Sequence, residues 1–118
     1  MSIVVPAYNE ERRIRACVIA AIEQTEPADE IIVVDNRSTD RTLEILESLR
    51  VEYPDAPLRI FRQDAEQGLV PTRNYGLDRA LGEVIGRIDA DSVLEPTWVA
   101  EVRRLFGDPT VAAATGPM

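Results

Sequence analysis

Glu30-Ile31-Ile32-Val33-Val34-Asp35 is the stretch that decides the fold. Four consecutive β-branched residues favour an extended chain, and an unbroken apolar run, in place of alternation, requires cover on both faces. Such a strand belongs inside a parallel sheet flanked by helices. Working outward from it, residues 10–24 place Ile14, Cys17, Val18, Ala21 and Ile22 at i, i+3, i+4, i+7 and i+8, a helical stripe, with Asn9 as a plausible cap. On the other side, residues 41–52 follow the capping oxygens of Ser38, Thr39 and Asp40 and carry Leu43, Leu46 and Leu49 on one face. The alternation continues along the chain. Strands are predicted over residues 2–5, 58–62, 83–88 and 110–114. A third helix begins near Pro71 and stops at Gly82, and a fourth begins at Pro96 with Trp98, Val99, Val102, Leu105 and Phe106 along one side. This order predicts an α/β fold: a doubly wound, mainly parallel sheet with helices on both faces.

The totals are those of one folded domain. The chain has 118 residues, 45% of them hydrophobic and 29% charged. A net charge of −8 argues against nucleic acid as a partner, but not against a nucleotide bound through a metal, since the cation reverses the local sign. The longest fully apolar stretch, residues 16–22, is too short to span a bilayer, and the N-terminus does not read as a signal peptide. A cytoplasmic location follows as the default, with peripheral attachment at the inner membrane face as the alternative. There is no His, one Cys and no Lys, all 13 basic residues being Arg. These absences exclude an imidazole base, a Cys-cluster metal site, an intrachain disulfide and a Walker-type phosphate loop.

Asp89-Ala90-Asp91 carries the chemistry. Positions i and i+2 of an extended chain face the same side, so the two carboxylates project together from a strand end. Two hard oxygen ligands there suit Mg²⁺ or Mn²⁺ carrying a phosphorylated ligand. Asp35 ends another apolar run, and open α/β sheets bind ligands beyond the carboxyl ends of their strands. Four polar clusters fall on that edge: residues 6–10, 35–40, 72–76 and 89–92. Alternatives stay open for several. Asp35 also suits a helix cap, Arg73 a surface ion pair, Arg37 a solvated loop, and Tyr8 and Glu10 a turn and a first-turn helix acid. Cys17 and Trp98 read as core; Asp64 and Glu66 read as facing water.

Taken together, Ser2-Ile3-Val4-Val5-Pro6-Ala7-Tyr8-Asn9-Glu10-Glu11, the acidic segment 30–42, Gln67-Gly68-Leu69 leading to Arg73-Asn74-Tyr75-Gly76, and Gly82-Glu83 before the Asp-x-Asp resemble the family 2 inverting glycosyltransferases of the GT-A fold. The resemblance implies a metal-assisted, inverting glycosyltransferase. Its partner would be a nucleotide-diphosphate sugar, a UDP-sugar favoured and a GDP-sugar possible. Pro6, Ala7, Tyr8 and Glu10 would line the nucleoside, Asp35 would accept a hydrogen bond from the base, and Arg73 would lie near the base or diphosphate. Asp89 would approach the ribose, and Asp91 would hold Mg²⁺ or Mn²⁺ across the diphosphate.

The chain departs from the family pattern in places. Asn36 stands where a second Asp is frequent, Thr72 where Ala is, and Ser92 where Asp is. Arg37 replaces a usually small residue, adding bulk and charge near the nucleoside. Family members run to roughly twice this length, within ordinary domain limits. Residues 1–118 are therefore expected to be a single nucleotide-sugar-binding domain without the acceptor half, with the general base beyond Met118 and apolar surface left open to self-association. The alternative is a non-catalytic nucleotide-binding module, or a donor-binding fragment inactive alone. A phospho-accepting receiver and a haloacid-dehalogenase-type phosphatase both need a Lys that is absent, and a dinucleotide-binding domain needs Gly-x-Gly-x-x-Gly after the first strand, where Pro-Ala-Tyr-Asn-Glu stands.

Overall fold

The computed structural model describes residues 1–82 and 84–106. Strands β1 (Ser2–Ala7), β2 (Glu30–Asp35), β3 (Leu58–Arg62) and β4 (Ile85–Arg87) form one sheet, all parallel, in the order β3-β2-β1-β4. Between them run α1 (Ile14–Ile22), α2 (Thr42–Glu52) and α3 (Leu69–Arg79), and α4 (Trp98–Phe106) follows β4. No helix among the described residues is long and apolar enough to cross a membrane. The predicted strand over residues 110–114 lies outside the described residues, as does Glu83 at the start of the predicted fourth strand.

The two central strands are buried along their whole length, as the β-branched run requires. The larger core lies on one face, where Ile3, Val5, Ile31 and Val33 meet Ile14, Cys17 and Val18 of α1, Leu46 and Leu49 of α2, and Trp98, Val99 and Val102 of α4. Each fully buried aliphatic side chain contributes roughly 1.5–3 kcal/mol relative to exposure. On the opposite face Val4, Ile32 and Val34 pack against Tyr75, Leu77 and Ala80 at and just beyond α3. Helices therefore cover both faces, the doubly wound arrangement expected. Cys17 and Trp98 are core residues, and Leu43 is only half-buried. Leu105 is 41% exposed despite its place on the apolar side of α4.

Two glycines set the packing distances. A Cβ on Gly76 would lie 2.6 Å from Val4 Cγ1 and 3.2 Å from Val34 Cγ2, so α3 rests directly on the sheet there. A Cβ on Gly86 would collide with the Trp98 ring. Gly82, expected as the end of the third helix, does another job. The helix ends at Arg79, and Gly82 closes on β1, where its N–H donates to Ser2 Oγ at 2.8 Å and a Cβ would lie 2.9 Å from the Ser2 nitrogen.

At the amino ends of the strands, away from the carboxyl edge, Glu30 ties four segments together. It accepts from Ser2 Oγ at 2.7 Å, Leu81 N–H at 2.6 Å and Arg59 Nη1 at 2.8 Å. Burial alone would raise the carboxyl pKa, but these donors outweigh it and hold the group below its ordinary value.

Candidate donor site at the carboxyl edge

The strand register brings Ala7, Asp35 and Arg62 level, so the loops after β1, β2 and β3 leave the sheet from one edge. The first two loops are stitched together. Thr39 N–H donates to Asn9 Oδ1 at 2.8 Å, Asn9 N–H to Ser38 Oγ at 3.0 Å, Glu10 N–H to Thr42 Oγ1 at 2.9 Å, and Arg41 N–H to Glu11 Oε2 at 3.1 Å. Just before α2, Asp40 Oδ1 accepts from Thr42 N–H at 2.9 Å. Asn9 is thus a link between loops and not the cap of α1. It sits at φ 49°, a left-handed conformation that Asn tolerates, and regular helix begins only at Ile14. Arg37 is also left-handed, at φ 57°. Gly or Asn would suit that backbone better, and for Arg it costs of order 1–3 kcal/mol. Its side chain is exposed and does not line the cleft.

A cleft of about 480 Å³ opens at this edge. From the β1 side it is lined by Pro6, Ala7, Tyr8 and Glu10, from the loop after β4 by Asp89, Ala90 and Asp91, and from the far wall by Asn36 and residues 67–69 and 72. Of the sequence-predicted site residues, six meet in this one cavity: Pro6, Ala7, Tyr8, Glu10, Asp89 and Asp91. Arg73 does not line it; with Arg87 it borders a smaller chamber that adjoins the cleft at Pro6 and Asp89. Asp35 is not at the cleft surface either. It lies beneath, 2% exposed, with Oδ2 accepting from Ser38 N–H at 3.3 Å and a buried Oδ1 that has no partner. Buried carboxylate oxygens are rarely left in that state.

Sequence reasoning missed the far wall. Asn36 is 2% exposed; its Nδ2 donates to the Gln63 carbonyl at 2.8 Å and the Glu66 carbonyl at 3.1 Å, while its Oδ1 accepts from Gln67 Nε2 and Gly68 N–H, each at 2.9 Å. Buried Thr72 donates to the Gly68 carbonyl at 2.6 Å and accepts from Gln63 Nε2 at 3.3 Å. Together they fold residues 63–68 into a wall. No local signal marked them, because Asn36, Gln63 and Thr72 are distant in sequence and meet only in the folded chain. Asp64 and Glu66 face water, as expected.

The cleft is acidic. Its lining holds three carboxylates, Glu10, Asp89 and Asp91, and no basic residue. Their convergence is felt by Cys17 beneath them, whose thiol donates to the Asp89 carbonyl at 3.5 Å. Burial, followed by Asp91, Glu10 and Asp89, pushes that thiol up to about 12. Arg13 Nη1 lies 3.9 Å from Asp91 Oδ2, but both groups are more than half exposed and the pair is worth little. Among the described residues no group of three His, Cys, Asp or Glu could enclose a metal by itself. Asp89 and Asp91 still fit Mg²⁺ or Mn²⁺, which bind through one or two carboxylates and complete their shell with water and phosphate oxygens.

Solved structures share this framework. The mannosyltransferase PcManGT of Pyrobaculum calidifontis, solved with GDP-Man and Mn²⁺, superposes with a TM-score of 0.86 at 31% identity, over 93% of this chain and 33% of that one. TarS of S. aureus, solved with UDP, gives 0.80 at 28% identity, over 90% and 31%. In sequence, glycosyltransferase AglE of Haloferax volcanii is 34% identical over 101 residues, 84% of this chain and 33% of AglE. The chain thus spans about a third of the length of these relatives, a larger shortfall than the twofold expected. The sequence model of glycosyl transferase family 2 matches residues 2–118. With its parallel sheet and GT-A neighbours, the chain belongs to glycosyl transferase family 2.

Proposed function

We propose that this chain is the donor-binding part of an inverting glycosyltransferase, and that its cleft holds a nucleotide-diphosphate sugar through Mg²⁺ or Mn²⁺. The observation that carries the reading is the convergence of Asp89, Asp91 and the segment Pro6-Ala7-Tyr8 on one cavity. Pro6, Ala7, Tyr8 and Glu10 line the nucleoside, Asp89 approaches the ribose, and Asp91 with Asp89 holds the cation. A divalent cation supplies charge neutralisation across the diphosphate, stabilising the nucleoside diphosphate as leaving group.

The residues of the chain do the rest by binding and orientation. Asp35, the residue that the resemblance assigns to the base, lies beneath the cleft floor with Oδ1 unpartnered and covered, so its side chain must turn toward the cleft to accept a hydrogen bond from the base. The wall of residues 63–68, held by Asn36, flanks the cleft on the side opposite Asp89 and Asp91. UDP and GDP-Man in the neighbouring structures support a uridine or guanosine donor. Transfer to an acceptor is proposed for the longer protein of which relatives of this family are examples, and donor binding for the chain itself.

Titration calorimetry tests this directly. Uridine diphosphate is expected to bind saturably with Mn²⁺ and at least about tenfold more weakly without it, a difference of about 1.4 kcal/mol. Absence of binding under both conditions would refute the donor-site reading.

A further inference from the structure

The turn that carries Asp91 is tied down at both flanks. It is closed by Ser92 N–H, which donates to the Asp89 carbonyl at 3.0 Å. Upstream, Ile88 N–H donates to the Val4 carbonyl of β1 at 3.1 Å. Downstream, the Pro96 carbonyl accepts from Thr25 N–H at 2.9 Å, and the Glu95 carbonyl from Trp98 N–H at 3.0 Å. Among the described residues only two side chains hydrogen-bond the backbone of residues 88–96: the Cys17 thiol at Asp89 and the Gln24 amide at Glu95. A thiol is a weak donor, and its contact is 3.5 Å long. Gln24 is bound far better. Its Nε2 donates to the Glu95 carbonyl at 2.8 Å and to the Ala20 carbonyl, in the last turn of α1, at 2.9 Å. Its Oε1 accepts from Val99 N–H, in the first turn of α4, at 2.9 Å. One amide thus joins α1, the stretch after the acidic turn, and α4.

We infer that Gln24 is a positioning residue for the cation site: its Nε2 fixes where the segment after Asp91 runs, and so where the Asp91 carboxylate stands. The inference rests on the proposed donor site, in which Asp91 holds Mg²⁺ or Mn²⁺. Two features make the downstream flank decisive. Ser92 and Leu94 are buried while Asp91 and Val93 are exposed, so Asp91 has no packing of its own and stands where its flanks put it. The ion, in turn, tolerates little displacement, since Mg²⁺ demands near-octahedral ligands at about 2.0–2.1 Å. Groups that orient metal ligands from behind typically change metal affinity by about 10–100-fold when removed. Gln24 acts at a remove, so the lower end of that range applies. The simpler alternative gives Gln24 only to the start of α4, through Val99. The two arms of the amide separate these roles, because Nε2 faces the acidic segment and Oε1 faces α4.

The test uses the full 118-residue chain, uridine diphosphate and Mn²⁺, with calorimetry giving the factor by which Mn²⁺ tightens nucleotide binding. Gln24→Glu keeps an acceptor for Val99 N–H but sets a carboxylate oxygen against the carbonyls of Glu95 and Ala20. Gln24→Lys keeps donors for those carbonyls and loses the acceptor. Gln24→Glu is expected to cut the Mn²⁺ factor by about tenfold and leave metal-free affinity unchanged. Gln24→Lys is expected to retain most of the factor. Charge alone gives the reverse order, since an added anion attracts Mn²⁺ and an added cation repels it. If Gln24→Glu unfolds by circular dichroism, Gln24→Met, which removes both arms without adding charge, takes its place with the same expected loss. A parent-like factor in that variant overturns the inference, as does an equal loss in Gln24→Lys, which would assign Gln24 to α4 alone. Equal weakening with and without Mn²⁺ overturns it too. Glu30→Gln, at the opposite end of the strands, should keep the parent's factor; a similar loss there would mean that lowered stability explains the effect, and the inference fails. An unaltered chain that binds the nucleotide equally with and without Mn²⁺ refutes the cation site itself, and one that does not bind it refutes the donor site.

Discussion

At position 36 an aspartate would set a carboxylate oxygen, in place of the Asn36 Nδ2 donor, against the carbonyls of Gln63 and Glu66. Asn36→Asp is therefore expected to destabilise the fold by about 1–3 kcal/mol in urea unfolding at neutral pH. Unchanged stability would show that the wall of residues 63–68 does not depend on that amide. The same residue shows what could and could not be read from sequence. Asp89 and Asp91 were legible because their relation is local: two residues on one strand end necessarily share a side. The role of Asn36 was not, because its partners lie 27 to 32 positions away and become neighbours only when β2, β3 and α3 assemble. The unpartnered Asp35 Oδ1 was equally invisible. Sequence marked the residue, and only packing shows that one of its oxygens is buried without a donor.

Elements were legible where their signal was hydrophobic period, and less so where it was punctuation. β3 falls where the pattern placed it, β2 likewise, and α2 begins one residue later than expected. Asn9 and Gly82 were read as a helix cap and a helix stop because such residues usually serve those ends. Here long-range contacts with Thr39 and Ser2 claim them instead. At Gly76 two effects oppose one another. Gly76→Ala would gain about 1 kcal/mol in helix propensity, but its methyl would meet Val4 and Val34, both fully buried in the sheet. Overpacking of that kind costs about 1–3 kcal/mol. The clash should win, so thermal unfolding of Gly76→Ala is expected several degrees below that of the parent. A higher melting temperature would mean that α3 can lift from the sheet at no cost.

For the molecule as a whole, Glu30 links acid stability to topology. Its folded-state pKa is held below the ordinary carboxylate value of about 4.3. A lowered value means that its contribution is fully present above that pH and is lost as the pH falls through the folded value. Glu30→Gln should cost about 1–3 kcal/mol at neutral pH and flatten the loss of stability below about pH 4.3; an unchanged acid slope in denaturant titrations would contradict the role. Apolar exposure is the other global feature. Val51 and Leu81 are over 80% exposed, and a groove of about 700 Å³ runs between α1 and residues 93–96. Light scattering at rising concentration is expected to show weak self-association, and a constant monomer mass would contradict it.

The central claim is that the strand-end acids grip a nucleotide through a shared cation, and electron paramagnetic resonance of Mn²⁺ tests it most directly. Two carboxylates without phosphate oxygens are too few to hold the ion well. The free Mn²⁺ signal should therefore fall little when the chain is added alone and strongly when uridine diphosphate is added with it, beyond the loss that the nucleotide causes by itself. With Asp91→Asn, folded by circular dichroism, that additional loss should disappear. An additional loss of equal size in Asp91→Asn, or none in the parent chain, would contradict the account.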